Sequence, residues 1–175
     1  MKKLFAVMMA LCLMLGAFAA FAAETDTTVV RWSDHEADAA KIEGQFATVG
    51  NTGLKMYIPA EFKDTELSQE TLDSGTFMVL KTEKEEKAVV SAQVVKKDID
   101  SFKAALKAEG KTVWDITVNG MPCLEFNVDV NGVVTSCFVF AAEQGKVLVF
   151  NFTLGNQEPY TSIYKVMASS IQPAQ

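Results

Sequence analysis

The chain has 175 residues, with 16 Lys and Arg against 22 Asp and Glu, a formal net charge of −6 and 49% hydrophobic residues. That length is enough for one domain with a full core. The acidic balance argues against nucleic acid and anionic membrane surfaces as partners.

The N-terminus has the order of a secretory signal. Lys2 and Lys3 form a positive start, Leu4 to Leu15 is apolar, and Gly16 to Ala23 offers small-x-small cleavage sites. Ala20-Phe21-Ala22 is the best placed of these, which gives a signal peptide over residues 1–22, with Ala19 and Ala23 as the other cleavage points. A retained anchor is the alternative. The apolar stretch is near the lower limit for a span, and the cleavage-site pattern argues against it. Cys12 follows Leu11 in the middle of the apolar run, so it is not placed as a lipoprotein cysteine. Removal of Lys2 and Lys3 leaves 14 basic and 22 acidic residues, a mature charge of −8. The expectation is a protein exported to the extracellular, cell-wall or periplasmic space, without a stable membrane anchor after cleavage.

Residues 23–43 read as a polar lead and a short helix. Ser33 and Glu36 have capping-box spacing, Gly44 lies past the helix end, and Trp32 is placed as a hydrophobic staple. Strands are predicted over 46–49 and 54–58, the second ended by Pro59. Ser68 to Gly75 fits a helix of one or two turns. Strands follow over 76–82 and 88–95, joined by the charged run Glu83 to Lys87. Asp100 is the expected cap of the main helix, with Phe102, Ala105 and Leu106 at helical spacing and Gly110 after the last turn. Four more strands cover 112–117, 121–129, 133–142 and 146–154. A last helix runs over 157–169 with Asn156 as cap, Pro159 in its first turn, and an apolar stripe of Tyr160, Ile163, Tyr164 and Met167. The elements predict an α+β fold with a largely antiparallel sheet of seven or eight strands and helices packed on it.

Turn chemistry sets the register of the last four strands. Val118-Asn119-Gly120, Val130-Asn131-Gly132 and Glu143-Gln144-Gly145 each have Gly third, which suits a three-residue hairpin loop. This puts Trp114 opposite Leu124, Leu124 opposite Phe138, and Phe138 opposite Phe150. A single dry face results, carrying Trp114, Leu124, Phe126, Phe138 and Phe150. The far face is mixed, and Cys123, Glu125, Asn127, Cys137 and Asn151 fall on it. The cysteines become diagonal neighbours, about 7–8 Å apart at Cβ, too far for a relaxed disulfide in this register.

That patch is the candidate partner-facing surface. A metal or redox site there is a weak match, because two cysteines 14 apart and the lone His35 lack the spacing of zinc ligands. No Gly-x-Ser-x-Gly motif or phosphate-binding glycine loop is present. The reading is therefore a non-catalytic binding or accessory protein, with no cofactor, no metal site, and an unknown protein or small ligand as partner. A small hydrolase or metal-binding protein using the far face is the alternative.

Gly44-Gln45-Phe46, the strand Leu54-Lys55-Met56-Tyr57-Ile58-Pro59, Leu67-Ser68, Val118-Asn119-Gly120 and the ending Met167 to Gln172 carry a resemblance. Over residues 44–172 the chain resembles a group of uncharacterised bacterial secreted proteins, and its order of elements is similar to PsbP-like domains. The resemblance implies a PsbP-like α/β sandwich and an accessory or binding role rather than an enzyme. Its motifs are turn and core residues, so it carries over no site chemistry.

Overall fold

The computed structural model describes residues 27–143 and 145–174. The segment expected as a signal peptide and Gln144 lie outside the described residues. In chain order the elements are β1 (Thr28–Val30), a 3-10 turn (Trp32–Asp34), α1 (Glu36–Ala39), β2 (Gly44–Thr48), β3 (Leu54–Pro59), β4 (Lys63–Asp64), α2 (Gln69–Asp73), β5 (Thr76–Lys81), β6 (Val89–Val95), α3 (Ile99–Ala108), β7 (Val113–Val118), β8 (Met121–Val130), β9 (Val133–Ala142), β10 (Lys146–Thr153), α4 (Tyr160–Ser169) and β11 (Gln172–Pro173). An eight-stranded sheet has the order β1-β7-β8-β9-β10-β6-β5-β4, and a three-stranded sheet has the order β11-β3-β2. Among the described residues every pairing is antiparallel except that of β1 with β7. The expected α+β fold is observed. The strands expected at 46–49 and 54–58 form, but they belong to the small sheet.

Helix ends follow local chemistry, with two departures from expectation. Ser68 caps α2 by accepting from the Thr71 N–H at 3.2 Å. At α3 the cap is Asp98, not Asp100, and its carboxylate accepts from the Ser101 N–H at 2.9 Å. That bond and the Ser101 hydroxyl hold the Asp98 carboxyl below its usual range. The earlier start brings Ile99 onto the stripe of Phe102 and Leu106, which faces the sheet. Ser33 does not cap the first helix. It lies inside the 3-10 turn, and its hydroxyl bonds to the Asp34 carboxylate at 3.3 Å. Pro159, not Asn156, stands at the cap position of α4. The expected stripe of Tyr160, Ile163, Tyr164 and Met167 is buried.

The register differs from expectation in two of three hairpins. Val118 pairs with Met121 and Val130 pairs with Val133, so the loops are the dipeptides Asn119-Gly120 and Asn131-Gly132. Their φ values of 48° and 81°, and of 56° and 80°, are those of type I′ turns. Asn tolerates the left-handed region and Gly occupies it at no steric cost, so these two pairs set the strand pairing. The third hairpin pairs Ala142 with Lys146 across three residues, as expected, and Phe138 faces Phe150.

One residue of slip turns β8 over. Leu124 faces Val139 rather than Phe138, and Trp114 faces Glu125 rather than Leu124. The sheet therefore has two apolar faces. Leu124, Phe126, Cys137, Val139, Val147 and Val149 pack with Leu106 of α3. Ile116, Val118, Cys123, Phe140, Leu148, Phe150 and Phe152 join α4 and Met56 of the small sheet. The expectation of one dry and one half-polar face is corrected: each side has its own helix, and each strand alternates between two cores.

The path of α4 decides what the second face leaves open. Midway along it, the Tyr164 ring lies 5.4 Å from Phe152 and 6.0 Å from Phe62. At its C-terminal end, Asn119 Nδ2 donates to the Ser169 and Ile171 carbonyls at 2.7 and 2.8 Å. Phe152 is near the end of β10, and Asn119 is the hairpin at the opposite end of β7 and β8. The helix thus crosses the sheet diagonally. It leaves uncovered the corner formed by the start of β7, the later half of β8 and the start of β9, where Trp114 is 44% exposed.

Candidate functional site

The slip separates the five residues of the sequence-derived patch. Cys123, Glu125 and Asn127 lie on the α4 face, while Cys137 and Asn151 are a facing pair on the α3 face. The two cysteines are buried on opposite sides of the sheet and are not bridged. Burial pushes the Cys123 thiol well above its usual range, and its Sγ lies 3.3 Å from the Leu124 carbonyl it donates to. Asn151 Nδ2 donates to the Ser91 hydroxyl at 3.2 Å. Val139 and Val149, the neighbours of the facing pair Cys137 and Asn151, are buried beneath α3. The helix α1 packs on α4.

What remains together is the open corner. The row Trp114–Glu125–Phe138–Phe150–Ala92 crosses five strands on one face. It runs from fully buried at Ala92 and Phe150 to 44% exposed at Trp114. Asn127, exposed, and Ser136, half-buried, form the next pair along. Phe138 is half-buried and held edge-to-face on Phe152 at 5.7 Å. In the register Glu125 lies between Trp114 and Phe138, with facing residues about 4.5–5.5 Å apart. Burial alone raises its carboxyl above the usual range, with no neighbouring charge contributing to the shift. An exposed indole beside a partly desolvated carboxylate can do two things at once. It offers ring surface to an apolar or cationic group, and it offers acceptor oxygens to a donor.

Trp114 is among the residues whose surroundings sequence reasoning placed wrongly. It was expected in the dry face opposite Leu124, and it is instead exposed opposite Glu125. The signal was present in Asn119-Gly120, since Asn-Gly is the strongest short hairpin dipeptide and selects a two-residue loop.

Other features lie away from this corner. A cleft of about 280 Å³ between α3 and β7 holds Lys103, whose Nζ bonds both Asp115 oxygens at 2.6 Å. A groove of about 370 Å³ lies between β2, β3 and the β4 edge, lined by Glu43, Phe62, Lys63 and Asp64 among others. Trp32, Phe46 and Tyr57 form an aromatic cluster with centroids 5.2–5.9 Å apart. It fastens the N-terminal lead to the small sheet, and the Tyr57 hydroxyl donates to the Ile42 carbonyl at 2.6 Å. His35 ends the 3-10 turn through its backbone N–H, 2.8 Å from the Trp32 carbonyl. Among the described residues, no three His, Cys, Asp or Glu side chains gather closely enough to hold a metal ion. The Tyr164 hydroxyl is buried without a hydrogen-bond partner, and burial raises its phenol above the ordinary range.

An antiparallel sheet clasped between a helix on one side and a helix with a small sheet on the other has a counterpart among solved structures. The solution structure of cyanobacterial PsbP (CyanoP) from Synechocystis superposes with a TM-score of 0.52 over 76% of this chain and 94% of that one, at 15% identity. The chain has a PsbP-like fold. A crystal structure of a protein from Bacteroides thetaiotaomicron is also similar, with a TM-score of 0.50 and 9% identity, covering 77% of this chain and 50% of that one. The PsbP-like likeness is one of fold. No protein-family model matches the sequence, and no curated protein matches it. Among the described residues, no helix is long and apolar enough to cross a membrane.

Proposed function

We propose that the protein is an exported, non-catalytic binding or accessory module, and that the open corner of the sheet is its contact surface. The observation that carries this reading is Trp114, 44% exposed beside a carboxylate that burial has partly desolvated. A Trp on a strand that elsewhere buries Ile116 and Val118 loses the stabilisation of burial, about 25 cal/mol for each Å² left in water. A contact partner would supply the missing cover, and exposed aromatics are the residues that dominate such contacts. The Cys123 thiol and the Tyr164 phenol are buried, and burial favours their neutral forms. The signal segment supports export, and the PsbP-like fold agrees with an accessory role.

The test is affinity capture from the envelope and extracellular fractions of the producing cell. The mature protein is compared with Glu125→Lys plus Asn127→Lys, and with Glu83→Lys in the exposed β5–β6 loop as control. Loss of a specific partner with the double variant alone supports the reading. Equal capture by all three proteins, or no partner at all, contradicts it.

A further inference from the structure

We infer that the corner receives a cationic side chain of a partner protein, arginine in the first place, held between Trp114 and Phe138 against the Glu125 carboxylate; this rests on the binding reading above. The geometry is the facing row itself, Trp114 opposite Glu125 and Glu125 opposite Phe138 on one sheet face. None of the ion pairs among the described residues involves Glu125, and no cation contributes to the electrostatics of its carboxyl.

Each class of occupant meets this corner differently. An apolar group would cover the indole but complete the desolvation of a carboxylate left without a donor, which is costly. An anion would be repelled by Glu125 and by a mature chain of net charge −8, from 14 basic and 22 acidic residues. A cation gains from both components, because ring faces attract it within about 6 Å and the carboxylate accepts its N–H groups. Arginine fits better than lysine. Its guanidinium is planar, stacks on rings and is weakly hydrated. Its five N–H donors can also use the polar pair beside the row, the exposed Asn127 and the half-buried Ser136. An arginine-bearing protein segment is the occupant this argues for, since the corner is an open, sheet-wide surface rather than an enclosed cavity.

The experiment follows the indole N–H signals of the 15N-labelled mature protein during titration with a capped Gly-Arg-Gly peptide. A capped Gly-citrulline-Gly peptide is the neutral isostere. The arginine peptide is expected to shift the Trp114 indole and the Asn127 amide saturably, and the citrulline peptide is not. Glu125→Gln is expected to weaken the arginine peptide about fivefold while leaving the rest of the spectrum in place. Trp114→Ala, read at the Asn127 amide, should weaken it by a factor of about 2–5. Equal shifts with both peptides, or unchanged affinity in Glu125→Gln, overturn the inference. If the peptides fail while charge reversal at the corner still abolishes capture, the cation assignment falls and the contact surface stands.

Discussion

Trp114 and Glu125 face each other across β7 and β8, one 44% exposed and the other half-buried, at the corner that α4 leaves uncovered. The pairing follows from a two-residue turn five positions along the strand, and it makes Glu125 the titrating group whose charge the fold resists. Its folded pKa is raised by burial. The folded state therefore holds that proton more tightly than the unfolded state does. The associated stability is present below the ordinary carboxylate range and is lost as pH rises through that range and past the raised value. Glu125→Gln should have a higher Tm than the wild type at pH 7, with the difference shrinking to nothing toward pH 4. Thermal unfolding of both proteins across this range checks it, and a lower Tm for the variant at neutral pH would show a favourable partner for the carboxylate inside the fold.

Asn119 buckles three parts of the chain. Its Oδ1 accepts from the Trp32 N–H at 2.7 Å, and its Nδ2 donates to the Ser169 and Ile171 carbonyls. Asn119→Gly keeps the left-handed turn and removes all three bonds. It should destabilise the protein by about 2–4 kcal/mol, whereas Asn131→Gly, at an exposed hairpin tip, should stay within about 0.5 kcal/mol. Urea unfolding of the two variants separates the buckle from the turn.

Cys123 and Cys137 are 3% and 2% exposed on opposite faces of the sheet. The native mature chain should show no reaction with a thiol reagent such as dithionitrobenzoate, and two equivalents should react after denaturation. A single fast-reacting thiol in the native protein would mean that one of the two faces opens.

Export is tested at the N-terminus. Intact-mass measurement of the protein recovered from the cell envelope or medium should give a chain beginning at Ala23, or at the neighbouring cleavage points after Ala19 or Ala23. Recovery only of a full-length, membrane-bound form would favour the retained anchor.

The eight longer strands, the main helices and the fold class were legible because they rest on periodicity and on residues of fixed conformational meaning, such as Ser68, Gly110 and Pro59, whereas the short strands β1, β4 and β11 were not. The register was harder. Choosing the loops by the coherence of one hydrophobic face assumed that the other face was wet. Leu124, Phe126 and Val128 are as apolar as Phe138 and Phe150, and they belong to the other core because α3 covers it. When both faces are dry, hydrophobic pattern no longer distinguishes a strand from its one-residue slip, and the turn dipeptide has to decide. The same slip hid the corner, since it put Leu124 in place of Glu125 between Trp114 and Phe138 and set Cys137 and Asn151 beside Glu125. Nothing in the sequence states the diagonal of α4, which depends on long-range contacts such as that of Asn119 with Ser169.

Among the described residues two exposed aromatic sites compete, Trp114 in the corner and Phe46 at 39% exposure in the cluster with Trp32 and Tyr57. The most direct test of the corner as contact surface is photocrosslinking in the producing cell, with a benzophenone amino acid in place of Trp114 or, separately, of Phe46. The account predicts a discrete adduct from position 114 that Glu125→Lys abolishes, and none from position 46. An adduct from position 46 with none from position 114 would contradict it.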